Sequence, residues 1–181
     1  MIRETTWAIT FAFVASTVMC DNAMAGQMNV ASDRTWTYVS DNVMGGVSQG
    51  QSNSSTENGQ SFIRLTGEVS TKNRGGFIQV RTKIDALEKD HQGLVLRVRG
   101  NGERYFIHLR TRSTRLPWQF YQAGFETGPD WREVRLPWSA FKPSGSLLPS
   151  RVSPETILSV GLVAYGRDHT ADVSLAELSF Y

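Results

Sequence analysis

The sequence predicts an all-β protein built as a β-sandwich. Short segments with alternating apolar and polar residues follow one another along most of the chain, and turn residues separate them. No segment has helical spacing over more than two turns. Many short strands at this spacing are typical of sandwiches. The chain has 181 residues, of which 40% are hydrophobic, which fits a single domain after its N-terminal segment.

The first 25 residues have the pattern of a secretory signal peptide. Arg3 gives a weak positive start, residues 7–19 carry no charge, and Ala23-Met24-Ala25 is a small-x-small cleavage site. The uncharged run is shorter than the ~20 apolar residues of a transmembrane helix, and an uncleaved N-terminal anchor is the alternative. We therefore expect a signal peptide at 1–25, one domain at 26–181, and a periplasmic or secreted protein without stable membrane insertion.

Charge and cysteine content exclude several classes of function. Cleavage after residue 25 removes one of 19 basic and two of 17 acidic residues, which leaves a net charge of +3. A charge this small does not by itself indicate nucleic-acid binding, and no nucleic-acid partner is expected. The one cysteine, Cys20, lies in the predicted signal peptide, so the mature domain has no thiol for catalysis or for a thiolate metal site.

Eight segments show the period-2 alternation of strands. They are residues 62–70, 77–84, 94–99, 104–111, 118–125, 131–136, 157–165 and 172–181. Residues 49–61 are rich in Ser, Asn, Gln and Gly, and this composition predicts an exposed, mobile loop.

The dipeptide Asn101-Gly102 predicts a two-residue turn that pairs the strands on either side as a hairpin. In that register Arg99 lies opposite Arg104. Alternation then divides the hairpin into a core face and a polar face. The core face carries Leu94, Leu96, Val98, Tyr105, Ile107 and Leu109, and the polar face carries Val95, Arg97, Arg99, Arg104, Phe106, His108 and Arg110.

This polar face, extended by a neighbouring strand, is the candidate surface for a ligand or partner. The candidate binding residues are Arg81, Arg97, Arg99, Arg104, Phe106, His108 and Arg110. Arg99 facing Arg104 is unfavourable unless a carboxylate, such as that of Glu68 or Glu103, or an external acceptor intervenes. Arginine suits carboxylates, phosphates and adjacent hydroxyls. The alternative is a solvated sheet face on which arginine stems cover apolar surface.

The most distinctive segment is Asp41-Asn42-Val43-Met44-Gly45-Gly46-Val47-Ser48, which Trp36 precedes by five residues. Adjacent glycines permit a tight turn or a close backbone approach, and Asp and Asn hydrogen-bond to nearby backbone. We expect a mainly structural role, in which the segment shapes a turn beside Trp36 and leads into the core. The residues concerned are Trp36, Asp41, Val43, Met44, Gly45, Gly46 and Ser48.

The same segment resembles the signature of the complex I intermediate-associated protein family, which is named for an assembly factor of NADH:ubiquinone oxidoreductase. Similar blocks follow at 62–81, 93–105, 131–141 and 159–162, so the resemblance extends from Trp36 to Tyr181. With the predicted signal peptide, the chain resembles a secreted, bacterial-type member of that family. The resemblance implies a galactose-binding-like jelly roll and an assembly-factor module that binds protein.

The sequence offers little for catalysis. His91, His108 and His169 are far apart and lack metal-ligand spacing, and no Gly-x-Ser-x-Gly elbow is found. Residues 100–105 begin like a dinucleotide fingerprint, but Tyr105 stands where the third glycine belongs. We therefore expect no enzyme, no catalytic residue, no metal and no cofactor.

Two functions stay open at this point. The first is assembly or stabilisation of a protein complex in the cell envelope, through an unidentified protein partner. The second is a jelly-roll module that binds a carbohydrate or an anionic ligand. Fold class cannot decide between them.

Overall fold

The computed structural model describes residues 34–181 as two antiparallel sheets that pack against each other. The predicted signal peptide lies outside the described residues. The strands are β1 (Thr37–Ser40), β2 (Gln49–Glu57), β3 (Gln60–Val69), β4 (Phe77–Lys83), β5 (Gly93–Gly100), β6 (Arg104–Thr111), β7 (Tyr121–Glu126), β8 (Arg132–Pro137), β9 (Lys142–Pro143), β10 (Ile157–Tyr165) and β11 (His169–Phe180). Short 3₁₀ turns lie at Asp41–Met44, Lys72–Arg74, Trp138–Ala140 and Pro154–Thr156.

One sheet has six strands in the order β1-β4-β10-β6-β7-β9, and the other has five in the order β2-β3-β11-β5-β8. The predicted β-sandwich is confirmed, and all eight predicted strands are present. The predicted strand at 118–125 begins only at Tyr121, because the preceding residues form a turn in which the Gln119 amide donates to the Leu116 carbonyl at 3.0 Å. No helix among residues 34–181 is long and apolar enough to cross a membrane.

The predicted loop at 49–61 is wrong in its secondary structure. Residues 49–57 form an edge strand that pairs with β3 from Gln49 opposite Glu68 to Glu57 opposite Gln60. Asn58 and Gly59 close this hairpin with φ of 49° and 78°, the positive values that a type I′ turn requires. The strand is exposed along almost its whole length, so its polar composition reflects an edge position in a sheet.

The predicted hairpin at Asn101-Gly102 is also wrong, because β5 and β6 belong to different sheets. Only Gly102 has positive φ here, so the type I′ geometry is not formed. The Asn101 side chain instead holds a crossing between the sheets. Its Nδ2 donates to the Thr170 carbonyl at 2.8 Å, and its Oδ1 accepts from the Tyr105 hydroxyl at 2.7 Å.

The hydrophobic core lies between the two sheets. All six residues of the predicted core face are fully buried there, namely Leu94, Leu96, Val98, Tyr105, Ile107 and Leu109. Successive side chains of a strand point to opposite faces whatever strand it pairs with, so the inward residues were predicted correctly although the pairing was wrong. The outward residues of β5 and β6 therefore point in opposite directions, away from the two sides of the sandwich.

Candidate functional site

The predicted basic face is divided between the two surfaces of the sandwich. Five of its residues share the outer face of the six-stranded sheet, and two lie on the outer face of the five-stranded sheet. The first group is Arg81, Arg104, Phe106, His108 and Arg110, and the second is Arg97 and Arg99. Because Arg99 and Arg104 are in separate sheets, the expected like-charge pair does not exist.

Four aromatic rings meet at the centre of the six-stranded face, and we call them the ring cluster: Phe106, His108, Phe120 and Tyr165. His108 stacks on Phe120 with ring centroids 4.0 Å apart and planes 9° from parallel. Tyr165 meets His108 edge-on at 5.3 Å. All four side chains are half-buried, so the cluster gives this otherwise polar face a flat, partly apolar centre.

His108 contributes no charge to this face. Its Nε2 lies 2.9 Å from Gln122 Oε1. Burial lowers the pKa of His108 to about 4, and the hydrogen bond to Gln122 opposes that change only partly. The imidazole is therefore neutral at pH 7 and acts as a ring surface.

Glycines keep the backbone open beside the ring cluster. Gly161 lies opposite Arg81 on one side and His108 on the other. Gly124 lies opposite Phe106, and a Cβ at Gly124 would come within 2.7 Å of Arg104 Nε. The Arg104 side chain can therefore lie over this backbone, with its guanidinium 5.7 Å from the centre of the Phe106 ring.

Arginines with different surroundings border the cluster. Arg81 is exposed and forms no ion pair with any residue of the described range. Burial, and then the charge of Arg81, lower the pKa of Arg110. Arg104 has only a loose ion pair, 3.7 Å from Glu126. The face thus has excess positive charge at one border, where an acidic or hydroxyl-rich group would be favourable.

Arg110 also fixes the loop that continues the face. Its Nη1 donates to the Pro117 carbonyl at 2.8 Å and its Nη2 to the Thr114 carbonyl at 2.7 Å. Trp118 follows directly, 62% exposed, and its carbonyl accepts a hydrogen bond from Ser144 Oγ. An exposed tryptophan on a hydrogen-bonded loop extends the apolar surface near the cluster.

The two arginines on the opposite sheet are already paired. Arg97 lies 3.4 Å from Glu177 and Arg99 lies 2.7 Å from Glu57. The Arg99 guanidinium also lies 4.6 Å from the Trp131 ring centre and 5.2 Å from that of Phe62. Phe62 lies on the outer side of the sheet, as alternation predicts, but Trp131 and Arg99 cover it so that it is buried.

The Asp41-to-Ser48 segment is organised around a buried carboxylate. Asp41 is fully buried. Its Oδ1 accepts from Ser48 N at 3.0 Å, and its Oδ2 accepts from Ser48 Oγ at 2.5 Å, Gly76 N at 2.6 Å and Phe77 N at 3.2 Å. A Cβ at Gly46 would overlap the Asp41 carboxyl carbon, and Gly45 has φ of 86°. Gly46 is therefore required because there is no space for a side chain, and Gly45 is required because its backbone has positive φ.

The apolar residues of this segment face solvent, contrary to the expectation that they lead into the core. Val43 is 74% exposed, Met44 53% and Val47 42%. The 3₁₀ turn at Asp41–Met44 directs them outward while its first residue faces inward. The Trp36 ring packs on the core just before β1, and the turn follows that strand. Its expected position beside the turn stays a prediction.

Several other residues on or beside the six-stranded face were not predicted as site residues. Among them are Gln79, Trp118, Phe120, Gln122, Gly161 and Tyr165. Alternation along β7 and β10 could have placed Gln122 and Tyr165 outward, but strand order alone brings them beside His108. Among the described residues, no group of three His, Cys, Asp or Glu side chains could hold a metal ion.

Comparison with known proteins agrees with the signature segment. The sequence profile described as Complex I intermediate-associated protein 30 (CIA30) matches residues 24–176. The chain belongs to this family. Comparison of this chain with curated proteins found no match.

Solved structures similar to this CIA30-family domain include carbohydrate-binding modules and larger enzymes. The family 11 carbohydrate-binding module of the cellulosomal cellulase Lic26A-Cel5E of Clostridium thermocellum has a TM-score of 0.67 at 10% identity, covering 86% of this chain and 94% of that one. The same kind of module in complex with a β-1,3-1,4-mixed-linked tetrasaccharide has a TM-score of 0.66 at 10% identity, covering 85% and 93%. An exo-β-agarase has a TM-score of 0.53 at 8% identity, covering 87% and 25%. These likenesses establish a jelly-roll fold.

Proposed function

We propose that this CIA30-family chain is an exported, non-catalytic binding module that acts in the assembly or stabilisation of a protein complex in the cell envelope. Its partner surface is the outer face of the six-stranded sheet. The family membership supports the assembly role, and the ring cluster supports the choice of surface.

The observation that carries this surface is the combination of half-buried rings with bordering arginines. Phe106 and Tyr165 offer apolar area at the centre, and Arg81 offers a cation without an ion pair among residues 34–181. Aromatic residues and arginine are enriched in the cores of protein interfaces. A partner with an apolar contact surrounded by acidic or hydroxyl groups complements this arrangement.

The test is a chromosomal deletion followed by native gel electrophoresis of envelope complexes. Loss of one assembled complex, restored by the wild-type chain, is the expected result. Complementation with Arg81→Glu combined with Tyr165→Ala should fail. Arg132→Glu is the charge control, because Arg132 is exposed on the opposite sheet and forms no ion pair or ring contact among residues 34–181. An unchanged set of complexes in the deletion strain would overturn the assembly role.

Carbohydrate or anion binding at the same face is the second candidate. The exposed Trp118, two residues before the Phe120 ring of a neutral stack, favours it, because flat rings without charge suit the apolar face of a sugar. A glycan panel at two salt concentrations tests this function. A neutral sugar should bind with little salt dependence. Binding of an anionic ligand at Arg81 should weaken at higher salt, because the screening length is only ~8–10 Å near physiological ionic strength and shortens as salt is added.

A further inference from the structure

A polar cavity of about 220 Å³ lies on the outer face of the five-stranded sheet, on the side opposite the ring cluster. Its floor is Ser174 of β11, which pairs with Arg64 of β3 on one side and Arg99 of β5 on the other. Adjacent strands lie ~4.8 Å apart, so the two arginine backbones are about 10 Å apart. The short serine side chain between two long arginines creates the hollow.

The charges around this cavity balance within the chain. Arg64 donates from Nε and Nη2 to both carboxylate oxygens of Asp172, at 2.8 and 2.6 Å. Arg99 is 2.7 Å from Glu57. The hydrogen bond from Arg64, and then the charges of both arginines, hold the pKa of Asp172 below its usual value. The carboxylate is therefore ionised at neutral pH, and an incoming anion would have to compete with Asp172 and Glu57.

Hydrogen-bonding capacity is left over at the cavity. Ser174 is 3% exposed, yet its hydroxyl forms no hydrogen bond with any residue between 34 and 181, and neither does Arg64 Nη1. The Arg64 side chain is 52% exposed and Ser174 lines the hollow, so both groups are accessible to a ligand there. Donors of the arginines alternate here with acceptors of Asp172 and Ser174. A hydroxyl group both donates and accepts, so it matches this lining better than a purely anionic or apolar group.

The cavity is held in shape by its surroundings. The Arg99 guanidinium packs against both the Trp131 and the Phe62 rings, which contact each other edge to face, and a Cβ at Gly100 would approach Thr127 Oγ1 at 2.7 Å. Preorganised donors lose little conformational entropy on binding. The volume is below the ~300–1,000 Å³ of pockets for drug-sized ligands, which limits the ligand to about one ring.

We propose that this cavity binds one neutral, hydroxyl-rich sugar residue, with Ser174, Arg64 and Asp172 as its hydrogen-bonding groups. This site lies on the sheet opposite the proposed partner surface. It therefore goes beyond the proposed function, and sugar binding here can be tested independently of partner binding.

The test is an amide-shift NMR titration of the isotopically labelled full chain. The probes are the methyl glycosides of glucose, galactose and mannose, with sodium phosphate and sodium glucuronate as the anionic comparison. Saturable shifts at Gly100, Asn101 and Ser174 with at least one neutral glycoside are the expected result. No saturable shift there with any neutral glycoside at tens of millimolar, or shifts with the anions alone, would overturn the proposal.

Two serine variants of the same strand test whether the sugar binds in the cavity. Ser174→Val fills the floor of the cavity and should weaken binding at least tenfold. Ser179→Val makes the same change further along the same strand, outside the cavity, and should leave binding unchanged. If Ser174→Val does not give a folded thermal transition, Arg64→Gln replaces it and should weaken binding similarly. Equal binding by the wild type and the folded cavity variant would contradict the proposed site.

Discussion

Replacing Asp41 with Asn is expected to destabilise the domain strongly, although the two side chains have almost the same shape. The carboxylate is fully buried and accepts four hydrogen bonds. An amide keeps only one oxygen. If that oxygen takes the position with three donors, the new NH₂ faces the Ser48 amide, and two donors then oppose each other.

The magnitude follows from these contacts. One hydrogen bond to a charged group is lost, which costs roughly 1.5–3 kcal/mol, and the others change from charged to neutral acceptors of about half the strength. Relief of the desolvation of Asp41 offsets part of this loss. We expect a loss of about 2–4 kcal/mol in the free energy of unfolding, which for a domain of this size lowers Tm by roughly 5–15 °C.

The effect should depend on pH. Burial by itself raises the pKa of Asp41, but the hydrogen bonds from Gly76, Ser48 and Phe77 outweigh burial and hold it below its usual value of 3.8. A carboxyl with a lowered folded pKa contributes stability above its unfolded pKa and loses it as pH falls through the folded pKa. The stability of the wild type should therefore approach that of Asp41→Asn on acidification below ~pH 4.

The assay is thermal and urea unfolding followed by circular dichroism, from pH 7 down to roughly pH 3. Asp130→Asn is the matched control, because Asp130 is exposed in the turn before β8. Its Tm should stay close to that of the wild type. A Tm for Asp41→Asn equal to that of the wild type at pH 7, or a difference that does not shrink on acidification, would refute the reasoning.

Three further predictions can be measured directly. Gly46→Ala should lower the free energy of unfolding, measured in urea, by more than ~1 kcal/mol, because the new Cβ overlaps the Asp41 carboxylate. Gly128→Ala should leave it nearly unchanged, because a Cβ there meets nothing within 4 Å. Arg99→Gln should cost ~1 kcal/mol more than Arg97→Gln, because only the former guanidinium lies over two rings, and equal costs would contradict this. Intact-mass measurement of protein from the native envelope should show cleavage at the 25–26 bond, and a species that retains residue 1 would contradict export by this signal.

Two Asn-Gly dipeptides illustrate how far local sequence signals reach. Asn58-Gly59 closes a hairpin, with both residues at positive φ. Asn101-Gly102 carries the chain from one sheet to the other. The difference arises from distant partners, since the Asn101 side chain bonds to Thr170 and Tyr105. The same dipeptide therefore has two outcomes that its neighbours in sequence do not distinguish.

The candidate site, too, could be predicted only as far as local sequence signals reach. The outward position of Arg104, Phe106 and His108 on one strand could be predicted, because alternation is a local property. Their surroundings could not be predicted, because Phe120 directly precedes β7 and Tyr165 ends β10, and these two strands become neighbours of β6 only through tertiary pairing. The neutral state of His108 follows from that burial.

The sequence by itself determined the all-β class, the inward residues of the strands and the family signature. Each of these depends on the period of the backbone or on residues within one short segment. The tertiary structure decided which strands share a sheet, and so separated Arg97 and Arg99 from Arg81 and Arg104. It also turned Asp41 inward and Met44 outward. Strand pairing and burial depend on contacts between residues far apart in the chain, and no local pattern records them.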